Sequence, residues 1–301
     1  MINYYRYLPV SEEDQKWGLS ILNAGCTRIT ANQDYPYRQH PSDHYFTWNK
    51  GRVLDEYQLI YIAGGEGSFE STHTPETTVH PGTIIGLFPG EWHRFKPARQ
   101  TGWDEYWVGF RGEVADNLVK QKFFEPETAL LLIGYNAEIL NLFTAIIDQT
   151  RAERPGYQPL AAGILLHLLG LVFSLNKQQS FDHSDGIKTK MEQAILLLRS
   201  SIDEDVTIQQ IAEDLNVSYA WFRKWFKLYT GLAPHQYVIQ LKIEKAKALL
   251  ADSGNSIKGI AYRLRFEHPL YFSKLFKEKV GLSPENYRNA VTSGRSSAYK
   301  Q

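Results

Sequence analysis

The last third of this 301-residue chain contains an internal repeat. When the chain is laid over itself at an offset of 50 residues, 8 of the 19 positions from Tyr219 to Tyr237 are identical in the segment that ends at Tyr287. The identical residues of the first copy are Phe222, Lys224, Phe226, Lys227, Gly231, Leu232, Pro234 and Tyr237. Upstream, Ile211-Ala212 matches Ile260-Ala261 at an offset of 49. The chain therefore carries two copies of one supersecondary unit.

Each copy has the pattern of a helix-turn-helix unit, in which an amphipathic helix, a short turn and a second helix follow one another. We predict helices at Thr207–Leu215 and Ser218–Thr230, at Ser256–Leu264 and His268–Val280, and a connecting helix at Pro234–Leu250. Their ends carry cap signals: Thr207 with Gln210 as a capping box, Ser218, Ser256 and Ser283 as N-caps, Pro284 at a first helical position, and Gly231 and Gly281 after a last turn. These signals predict an all-α C-terminal domain.

The charge of the chain is distributed unevenly between its two halves. The whole chain is formally neutral, with 33 basic and 33 acidic side chains. Residues 1–186 hold 15 basic and 22 acidic side chains, whereas residues 187–301 hold 18 basic and 11 acidic ones. A basic domain attached to an acidic one is typical of nucleic-acid binding. A solvated helix face would explain one row of lysines, but duplication, charge and caps together favour helices that enter the major groove.

The first half of the chain has two compositional zones. From Met1 to Gly112, short apolar runs separated by glycine and proline turns predict a β-sandwich or small barrel. From Glu113 to Lys177 apolar residues recur at three- and four-residue steps, which predicts helices. One of these helices, Pro159–Asn176, is apolar nearly all round, so we expect it to be buried on several sides. The polar segment around Gly186 marks the domain boundary, giving predicted domains at residues 1–178 and 187–291.

Several protein classes are disfavoured by composition. A single cysteine, Cys26, rules out a disulfide framework and an all-cysteine zinc site. The chain begins with neither the basic start nor the apolar run of a signal peptide. Its most apolar stretch, Ala161–Leu175, is shorter than the roughly 20 residues that a membrane span needs. We therefore expect a cytoplasmic protein with no membrane partner.

The second half of the chain resembles the AraC/XylS family of transcriptional regulators over about Lys188–Arg288. The resemblance rests on Ile260-Ala261, Phe266, Phe272, Phe276-Lys277, Gly281, Pro284 and Tyr287-Arg288. It implies an α+β chain, with an N-terminal cupin-like β-barrel and trailing dimerisation helices before an all-α domain of two helix-turn-helix units joined by a long helix. Two positions depart from the family pattern. Arg265 stands at the turn glycine, and Lys242 stands where arginine is usual.

The resemblance also implies which residues contact DNA. Base contacts fall on Ala220, Arg223 and Lys224 in the first copy and on Leu270, Ser273 and Lys274 in the second, with Lys227, Lys277 and Arg265 as further DNA contacts. Arginine and lysine have the chemistry for guanine edges, and an apolar side chain can meet a thymine methyl group. Two such helices on one side of a duplex lie about 34 Å apart and contact sites about 10 bp apart. The implied partners are a double-stranded DNA operator and the transcription machinery.

The first half resembles the sugar-sensing domain of the same family. The resemblance rests on Pro81-Gly82, on the segment Phe88–His93 and on Trp107–Phe110. It places ligand contacts at Gly64, Phe95, Glu105 and Trp107, with His93 on the barrel rim. Gly64 stands where the family has a sugar-binding side chain, so Arg52, Arg94 or His93 is expected to compensate.

The strand Asp104–Phe110 supports part of this pocket independently. Alternation puts Glu105, Trp107 and Gly109 on one face of the strand. A carboxylate beside an indole suits a neutral polyol, because the carboxylate accepts from hydroxyl groups while the ring stacks on C–H groups. From the strand alone, an equally weighted alternative is that Trp107 is a core residue and Glu105 pairs with an arginine.

Together these observations predict a non-enzymatic, ligand-responsive transcriptional regulator without a cofactor, with activation as the commoner output of the family. The effector is expected to be a small carbohydrate, and the protein a homodimer. Candidate dimer residues are Ile139, Leu142, Ile146, Leu165, Leu168, Leu169 and Val172, and the aromatic segment Tyr4–Pro9 could form an arm over the barrel mouth. One alternative is a metal-dependent cupin enzyme fused to a DNA-binding module, although only His93 of the usual metal ligands is present. Another is a constitutive regulator whose barrel is a scaffold.

Overall fold

The computed structural model describes residues 3–33, 35, 48–182, 186–204, 207–252 and 254–298. The chain divides into two compact units, Met1–Ser180 and Phe181–Gln301. The first unit is built on antiparallel sheets and the second is helical. The predicted α+β fold class is therefore confirmed.

The first unit contains two antiparallel sheets. Its strands are β1 (Tyr4–Tyr7), β2 (Ser20–Ile29), β3 (Arg52–Val53), β4 (Tyr57–Gly65), β5 (Gly67–Ser71), β6 (Thr77–Val79), β7 (Thr83–Leu87), β8 (Trp92–Pro97), β9 (Trp103–Arg111) and β10 (Leu130–Leu132). Within the described ranges, one sheet has the order β1-β2-β9-β4-β7-β10 and the other β3-β8-β5-β6. The helices of this unit are α1 (Glu12–Gln15), α2 (Glu113–Lys120), α3 (Ala137–Ala152) and α4 (Tyr157–Asp182).

Alternation along the strands gives the larger sheet two apolar faces. On β9, Tyr106, Val108 and Phe110 belong to the core that the sheet forms with α3 and α4. Trp107 belongs to a second core, which fills the space between the two sheets. The side chains that alternate with Tyr106, Val108 and Phe110 along β9 therefore project into the space between the two sheets, which is the barrel interior.

Helices α3 and α4 pack on the outer face of the larger sheet. Six of the predicted dimer residues, Ile139, Ile146, Leu165, Leu168, Leu169 and Val172, are buried in this intrachain core, and Leu142 packs against it. The expectation that these residues face a second chain is therefore wrong, because the chain's own sheet covers them. Helical periodicity identifies an apolar face but not the surface that covers it.

Helix α4 is buried on one side rather than on several. Its opposite face exposes Leu160 at 52% and Leu166 at 47%. Gly163 lies between these leucines and Gly170 one turn after Leu166, and both glycines are exposed. Among the described residues, α4 is the helix that is long and apolar enough to cross a membrane by length and composition. A core helix of a soluble protein passes the same test, and one face of α4 belongs to the core of its own domain.

The second unit consists of two similar helical subdomains. Its helices are α5 (Ile187–Ser200), α6 (Ile208–Asp214), α7 (Tyr219–Thr230), α8 (Pro234–Leu250), α9 (Ile257–Arg263), α10 (Pro269–Val280) and α11 (Pro284–Ala298). Phe222 and Phe226 of α7 are fully buried in one core, and Phe272 and Phe276 of α10 in another. The two helix-turn-helix units and the connecting helix α8 lie where the repeat predicts them.

The helix ends of this unit agree with the cap signals in the sequence. The hydroxyl oxygens of Thr207, Ser218 and Ser256 accept hydrogen bonds from backbone N–H groups three residues ahead. Gly231 and Gly281 have φ of 80° and 84°, the left-handed conformation of a C-terminal glycine. Thr207 forms its half of the predicted capping box, but no return bond from the Gln210 side chain accompanies it. The helices are therefore fixed largely by local sequence.

Candidate functional sites

Three neighbouring cross-strand rows of residues lie on the inner face of the larger sheet, next to the row of Ile29, Trp103 and Gly65. Thr27, Glu105 and Ile62 form one row, and Gly25, Trp107 and Ile60 form the next. Asn23, Gly109 and Gln58 form the third. Because every second row points to the same side, all three project between the two sheets, as Trp107 and Ile60 do in the inner core.

Glu105 is a buried carboxyl group inside the barrel. Its side chain is 4% exposed. Burial raises the pKa of Glu105 to about 8, and the charge of Arg52 and the nearby Trp103 indole oppose this shift only in part. Among the described residues its Oε2 atom has no hydrogen-bond partner of normal geometry, and neither has the indole nitrogen of the buried Trp103. The barrel interior thus offers polar atoms that the described protein groups leave unsatisfied.

His93 holds the Arg52 side chain in the barrel. Arg52 Nε donates to His93 Nε2 over 3.2 Å, and His93 Nδ1 lies 3.1 Å from the carbonyl oxygen of Glu91. The two contacts together define a neutral imidazole with its proton on Nδ1. Burial and then the Arg52 charge lower the pKa of His93 to about 4. His93 therefore acts as a neutral acceptor that positions the guanidinium of the half-buried Arg52.

Phe95 also belongs to this part of the interior, together with Tyr35, whose ring centroid lies 6.4 Å from that of Phe95. Its ring stacks on His93 with centroids 6.2 Å apart, and the Arg52 guanidinium lies 5.4 Å from the Phe95 centroid. The structure thus brings together His93, Phe95, Glu105 and Trp107 of the predicted ligand residues on the inner faces of the two sheets. Arg52, one of the three candidates named to compensate for Gly64, joins them as a half-buried cation whose charge acts on Glu105.

Gly64 and Arg94 lie away from this group. A β-carbon at Gly64 would lie 3.8 Å from Oδ2 of Asp104, whose side chain belongs to the opposite face of β9 from Glu105. Arg94 pairs with Glu70 through Nε at 2.7 Å and lies 4.4 Å from the Trp48 ring centroid. Alternation along β8 places Arg94 on the outer face of the smaller sheet, so it does not replace a pocket side chain at Gly64.

A second polar cluster inside the barrel was not predicted from the sequence. Glu56 is buried, and its Oε1 atom accepts from Asn23 Nδ2 at 2.6 Å and from Gln58 Nε2 at 2.9 Å. Burial raises the pKa of Glu56. The available signal was a polar residue at an inward position on β2 and another on β4, but it becomes visible only once the strand register is known.

The N-terminal aromatic segment forms an edge strand. β1 pairs antiparallel with β2, so that Tyr4 lies opposite Cys26 and Tyr7 opposite Asn23. Arg6 Nε lies 2.7 Å from the Glu153 carboxylate. Residues Tyr4–Tyr7 therefore extend the larger sheet instead of crossing the barrel mouth as an arm, because β2 supplies partners for their backbone.

Two further histidines of the first unit, His73 and His80, lie beside carboxylates. His73 Nε2 lies 3.4 Å from Glu91, and His80 Nδ1 lies 3.2 Å from Glu66. Within the residues that the structure describes, no group of three or more histidine, cysteine, aspartate or glutamate side chains could hold a metal ion.

The predicted DNA-contact residues lie on the outer faces of α7 and α10. Ala220, Arg223, Lys224 and Lys227 are exposed on α7, and Leu270, Lys274 and Lys277 are exposed on α10. Leu270 is 83% exposed. Ser273 is half-buried, and its hydroxyl donates to the Pro269 carbonyl over 3.0 Å. Because the Ser273 hydroxyl hydrogen is used in this bond, its oxygen can act only as a hydrogen-bond acceptor towards another group.

The two helix-turn-helix turns have the same backbone conformation. Asn216 has φ of 54° and Arg265, 49 residues later, has φ of 53°. In both turns the following N–H donates back to the alanine of the Ile-Ala pair: Val217 to Ala212 and Phe266 to Ala261. Arg265 thus adopts the left-handed conformation that a glycine would adopt.

The Arg265 side chain also links the two subdomains of this unit. Its Nε donates to the Asp203 carbonyl over 3.2 Å, and Lys242 Nζ donates to the Arg265 carbonyl over 3.2 Å. Lys245 forms an ion pair with the Asp203 carboxylate. The departures at Arg265 and Lys242 therefore contact each other at the junction between the two helix-turn-helix units.

We expect Arg265→Gly to be more stable than Arg265→Ala by about 1 kcal/mol, because both lose the bond to Asp203 but only alanine retains the left-handed strain. Urea unfolding of the two variants measures the difference. Asn216→Gly and Asn216→Ala form the matched pair in the first copy and should differ in the same direction. If alanine equalled or exceeded glycine at both turns, the left-handed conformation would be wrong.

Comparison with known proteins agrees with this arrangement. The AraC-like ligand binding domain matches residues 34–169, and a helix-turn-helix domain matches residues 211–290. The raffinose operon transcriptional regulatory protein RafR of Pediococcus pentosaceus is 24% identical over 82% of this chain and 89% of its own. The MmsAB operon regulatory protein of Pseudomonas aeruginosa is 29% identical over 81% of this chain and 78% of its own. The lactose operon transcription activator of Staphylococcus xylosus is 24% identical over 79% of this chain and 85% of its own.

The two matched domains follow the order of the structure, with the ligand-binding match in the β-rich unit and the helix-turn-helix match in the helical unit. The second match includes both exposed basic helices, α7 and α10. The chain belongs to the AraC family of DNA-binding transcriptional regulators.

Proposed function

We propose that this regulator senses a carbohydrate inside its barrel and changes its affinity for an operator in response. The observation that carries the proposal is the buried Glu105, with an unpartnered oxygen, on the same face as Trp107. Two of the relatives are named for sugar operons, raffinose and lactose. The role is regulatory rather than catalytic, with functional domains at residues 1–178 and 187–291.

The chemistry of the interior suits a neutral polyol. Hydroxyl groups both donate and accept, so one sugar can satisfy the Glu105 oxygen and the Trp103 indole N–H together. The Arg52 guanidinium is a further donor, held in place by His93. The Trp107 ring supplies an apolar surface for the C–H groups of a pyranose. A ligand of this kind would satisfy groups that are costly to bury without partners.

A thermal-shift screen of the full chain against mono- and disaccharides tests the proposal. A sugar at 100 times its dissociation constant stabilises the domain that binds it by about 2.7 kcal/mol. Glu105→Gln and Trp107→Ala should abolish the shift. Glu70→Gln, the same kind of change on the outer face of the smaller sheet, should preserve it. Operator affinity that no sugar alters, together with no thermal shift, would favour a scaffold barrel and a constitutive regulator.

We further propose that the regulator contacts its operator through the exposed residues of α7 and α10. Arg223, Lys224 and Lys274 would contact base edges, and Ala220 and Leu270 would contact thymine methyl groups. Lys227, Lys277 and Arg265 would contact the backbone, and Ser273 would accept from a base or a backbone donor. Activation through the transcription machinery is the expected output, as the name of the Staphylococcus xylosus relative indicates for that protein.

We also propose that the protein is a homodimer through the exposed face of α4. Leu160 and Leu166 are exposed there beside Gly163 and Gly170. A β-carbon at either glycine would have no atom within 4 Å, so intrachain packing does not require glycine at these positions. Each glycine costs a helix about 1 kcal/mol relative to alanine. Close approach of a second α4 helix would account for both the glycines and the exposed leucines.

Leu166→Glu is expected to convert the dimer to a monomer, because it places a charge in an apolar interface. Asn141→Glu, on the exposed polar face of α3, is the matched control and should remain dimeric. Sedimentation or light scattering gives the mass of each variant. The monomer should also bind its operator more weakly, since a dimer gains from effective concentration. An unchanged mass in Leu166→Glu would contradict this interface.

A further inference from the structure

The inner face of the larger sheet carries polar groups at two levels rather than one. Glu105 marks the first level, and the Asn23–Glu56–Gln58 cluster marks the second, beside Gly109. Glu105 and Gly109 are four residues apart on β9, a separation of about 13 Å along a strand. That distance exceeds one pyranose ring and fits linked rings. Trp107 lies between the two levels.

Two glycines make room for these groups against the sheet. A β-carbon at Gly25 would lie 2.6 Å from Cη2 of Trp107, with another indole atom nearer still. A β-carbon at Gly109 would lie 2.6 Å from Glu56 Oε1, with the Asn23 amide nearer still. Such approaches are shorter than any stable contact, so the indole and the polar cluster occupy the space that side chains at these positions would fill. The strand sequence thus leaves space for an indole and a polar cluster side by side.

The second level contains an unsatisfied polar atom of its own. Asn23 is 3% exposed, and within the described part of the chain its Oδ1 has no hydrogen-bond partner. Both amide donors of the cluster converge on one oxygen, Glu56 Oε1. Buried side-chain oxygens nearly always have a partner. An unpaired acceptor at each level, Asn23 Oδ1 and Glu105 Oε2, is therefore what a ligand with donors at both ends would satisfy.

Arg52 connects the two levels electrostatically. Both Glu56 and Glu105 lie close enough to act on the Arg52 charge, and Arg52 acts on both carboxyls in return. His93 fixes the guanidinium through Nε. The interior therefore has a carboxyl group at each level, a cation whose charge acts on both, and an indole between them.

We propose that Asn23, Glu56 and Gln58 form a second sugar subsite, so that the barrel takes an oligosaccharide of two or more units in preference to a single hexose. This inference rests on the proposed sugar-sensing function and specifies the class of sugar. Glu105 and Trp107 hold one ring, and the second cluster accepts hydroxyl groups of the next ring. We therefore expect an oligosaccharide to bind more tightly than a monosaccharide, because a single ring leaves Asn23 Oδ1 unpaired.

The test compares sugars of matched composition on the full-length protein. Thermal shift and calorimetric titration are carried out with lactose, melibiose and raffinose, and with galactose, glucose and fructose, the units that compose them. For at least one of these oligosaccharides we expect affinity at least tenfold above that of any of its units, the worth of about one well-formed hydrogen bond to a charged group. Asn23→Ala and Glu56→Gln should reduce that ratio to near unity, because they weaken oligosaccharide binding more than monosaccharide binding.

Each outcome has a distinct meaning. Glu105→Gln should weaken oligosaccharide and monosaccharide together, whereas Glu70→Gln, outside the barrel, should alter neither. If Asn23→Ala does not fold, the more conservative Glu56→Gln gives the same comparison. A monosaccharide that binds as tightly as every oligosaccharide containing it would overturn the second subsite but leave sugar sensing intact. No shift with any of the six sugars would overturn both proposals.

Discussion

The free energy of unfolding of the ligand-binding domain is expected to fall as the pH rises from about 6.5 to about 8, by about 1.4 kcal/mol per pH unit. The cause is Glu105, whose pKa burial raises to about 8 from an ordinary 4.5. Within this range the folded state retains a proton that the unfolded state has already lost. The stability that Glu105 contributes is fully present below pH 4.5 and is lost as the pH rises through 8.

His93 has the opposite effect at lower pH. Burial lowers its pKa to about 4 from an ordinary 6.5, so the unfolded state takes up a proton that the folded state does not. Its destabilising effect therefore grows as the pH falls below 6.5. Between about pH 4.5 and 6.5 the contributions of Glu105 and His93 oppose each other. Above 6.5 His93 is neutral in both states, so the slope due to Glu105 appears without the opposing contribution of His93.

Urea titration of the full chain from pH 5.5 to 8.5 measures this dependence, and tryptophan fluorescence follows it because five of the seven tryptophans precede residue 180. Glu105→Gln should remove the slope above pH 6.5 and be more stable than the wild type at pH 8. Glu70 pairs with Arg94 outside the barrel, so Glu70→Gln should keep the wild-type slope. Equal slopes in the wild type and Glu105→Gln would show that the carboxyl is not buried in its neutral form.

The same titration bears on ligand binding. Hydroxyl groups that donate to Glu105 favour its ionised form and lower its pKa. Binding near pH 7.5 should therefore release protons, which calorimetry in buffers of different ionisation enthalpy detects. A ligand that makes no contact with Glu105 would release none, so proton release separates binding in the barrel from binding elsewhere.

The helical unit could be predicted closely from the sequence because its signals are local. Ser218 and Ser256 cap the helices that follow them, and Gly231 and Gly281 end helices with positive φ, all within a few residues. The repeat supplied an internal control, since each copy predicts the other. Even the departure at Arg265 preserves the turn, because its neighbours impose the left-handed conformation.

The barrel site was predictable only in part because its geometry is non-local. Alternation along β9 identified Glu105 and Trp107, which lie on one strand. The cluster of Asn23, Glu56 and Gln58 joins two strands and the segment before β4. It therefore depends on the register between strands, which no short segment of the sequence reveals. The prediction of the dimer residues was wrong for a related reason, because helical periodicity cannot distinguish a face covered by the chain's own sheet from one covered by another chain.

Replacing Lys224 and Lys274 with alanine is expected to have the largest effect on DNA binding. The two lysines occupy equivalent positions of the repeat, both are exposed, and each lies on a helix anchored by two fully buried phenylalanines. If each contacts a base edge, each single variant binds the operator more weakly by about 1–3 kcal/mol. Because they lie on separate helices with separate cores, the two effects should add to about 2–6 kcal/mol in the double variant.

The measurement is affinity for an operator selected from random DNA by the full chain, compared with affinity for unrelated DNA across a range of salt concentrations. Lys247→Ala is the matched control, since Lys247 pairs with Glu244 on the connecting helix α8. Removing a lysine that reads a base weakens operator binding alone and so reduces the ratio of specific to non-specific affinity. Removing a lysine that binds a phosphate weakens both equally and lowers the salt slope by about one. The two lysines can therefore be assigned separately, and unequal behaviour would mean that the duplicated helices have diverged, with one determining sequence and the other holding the backbone.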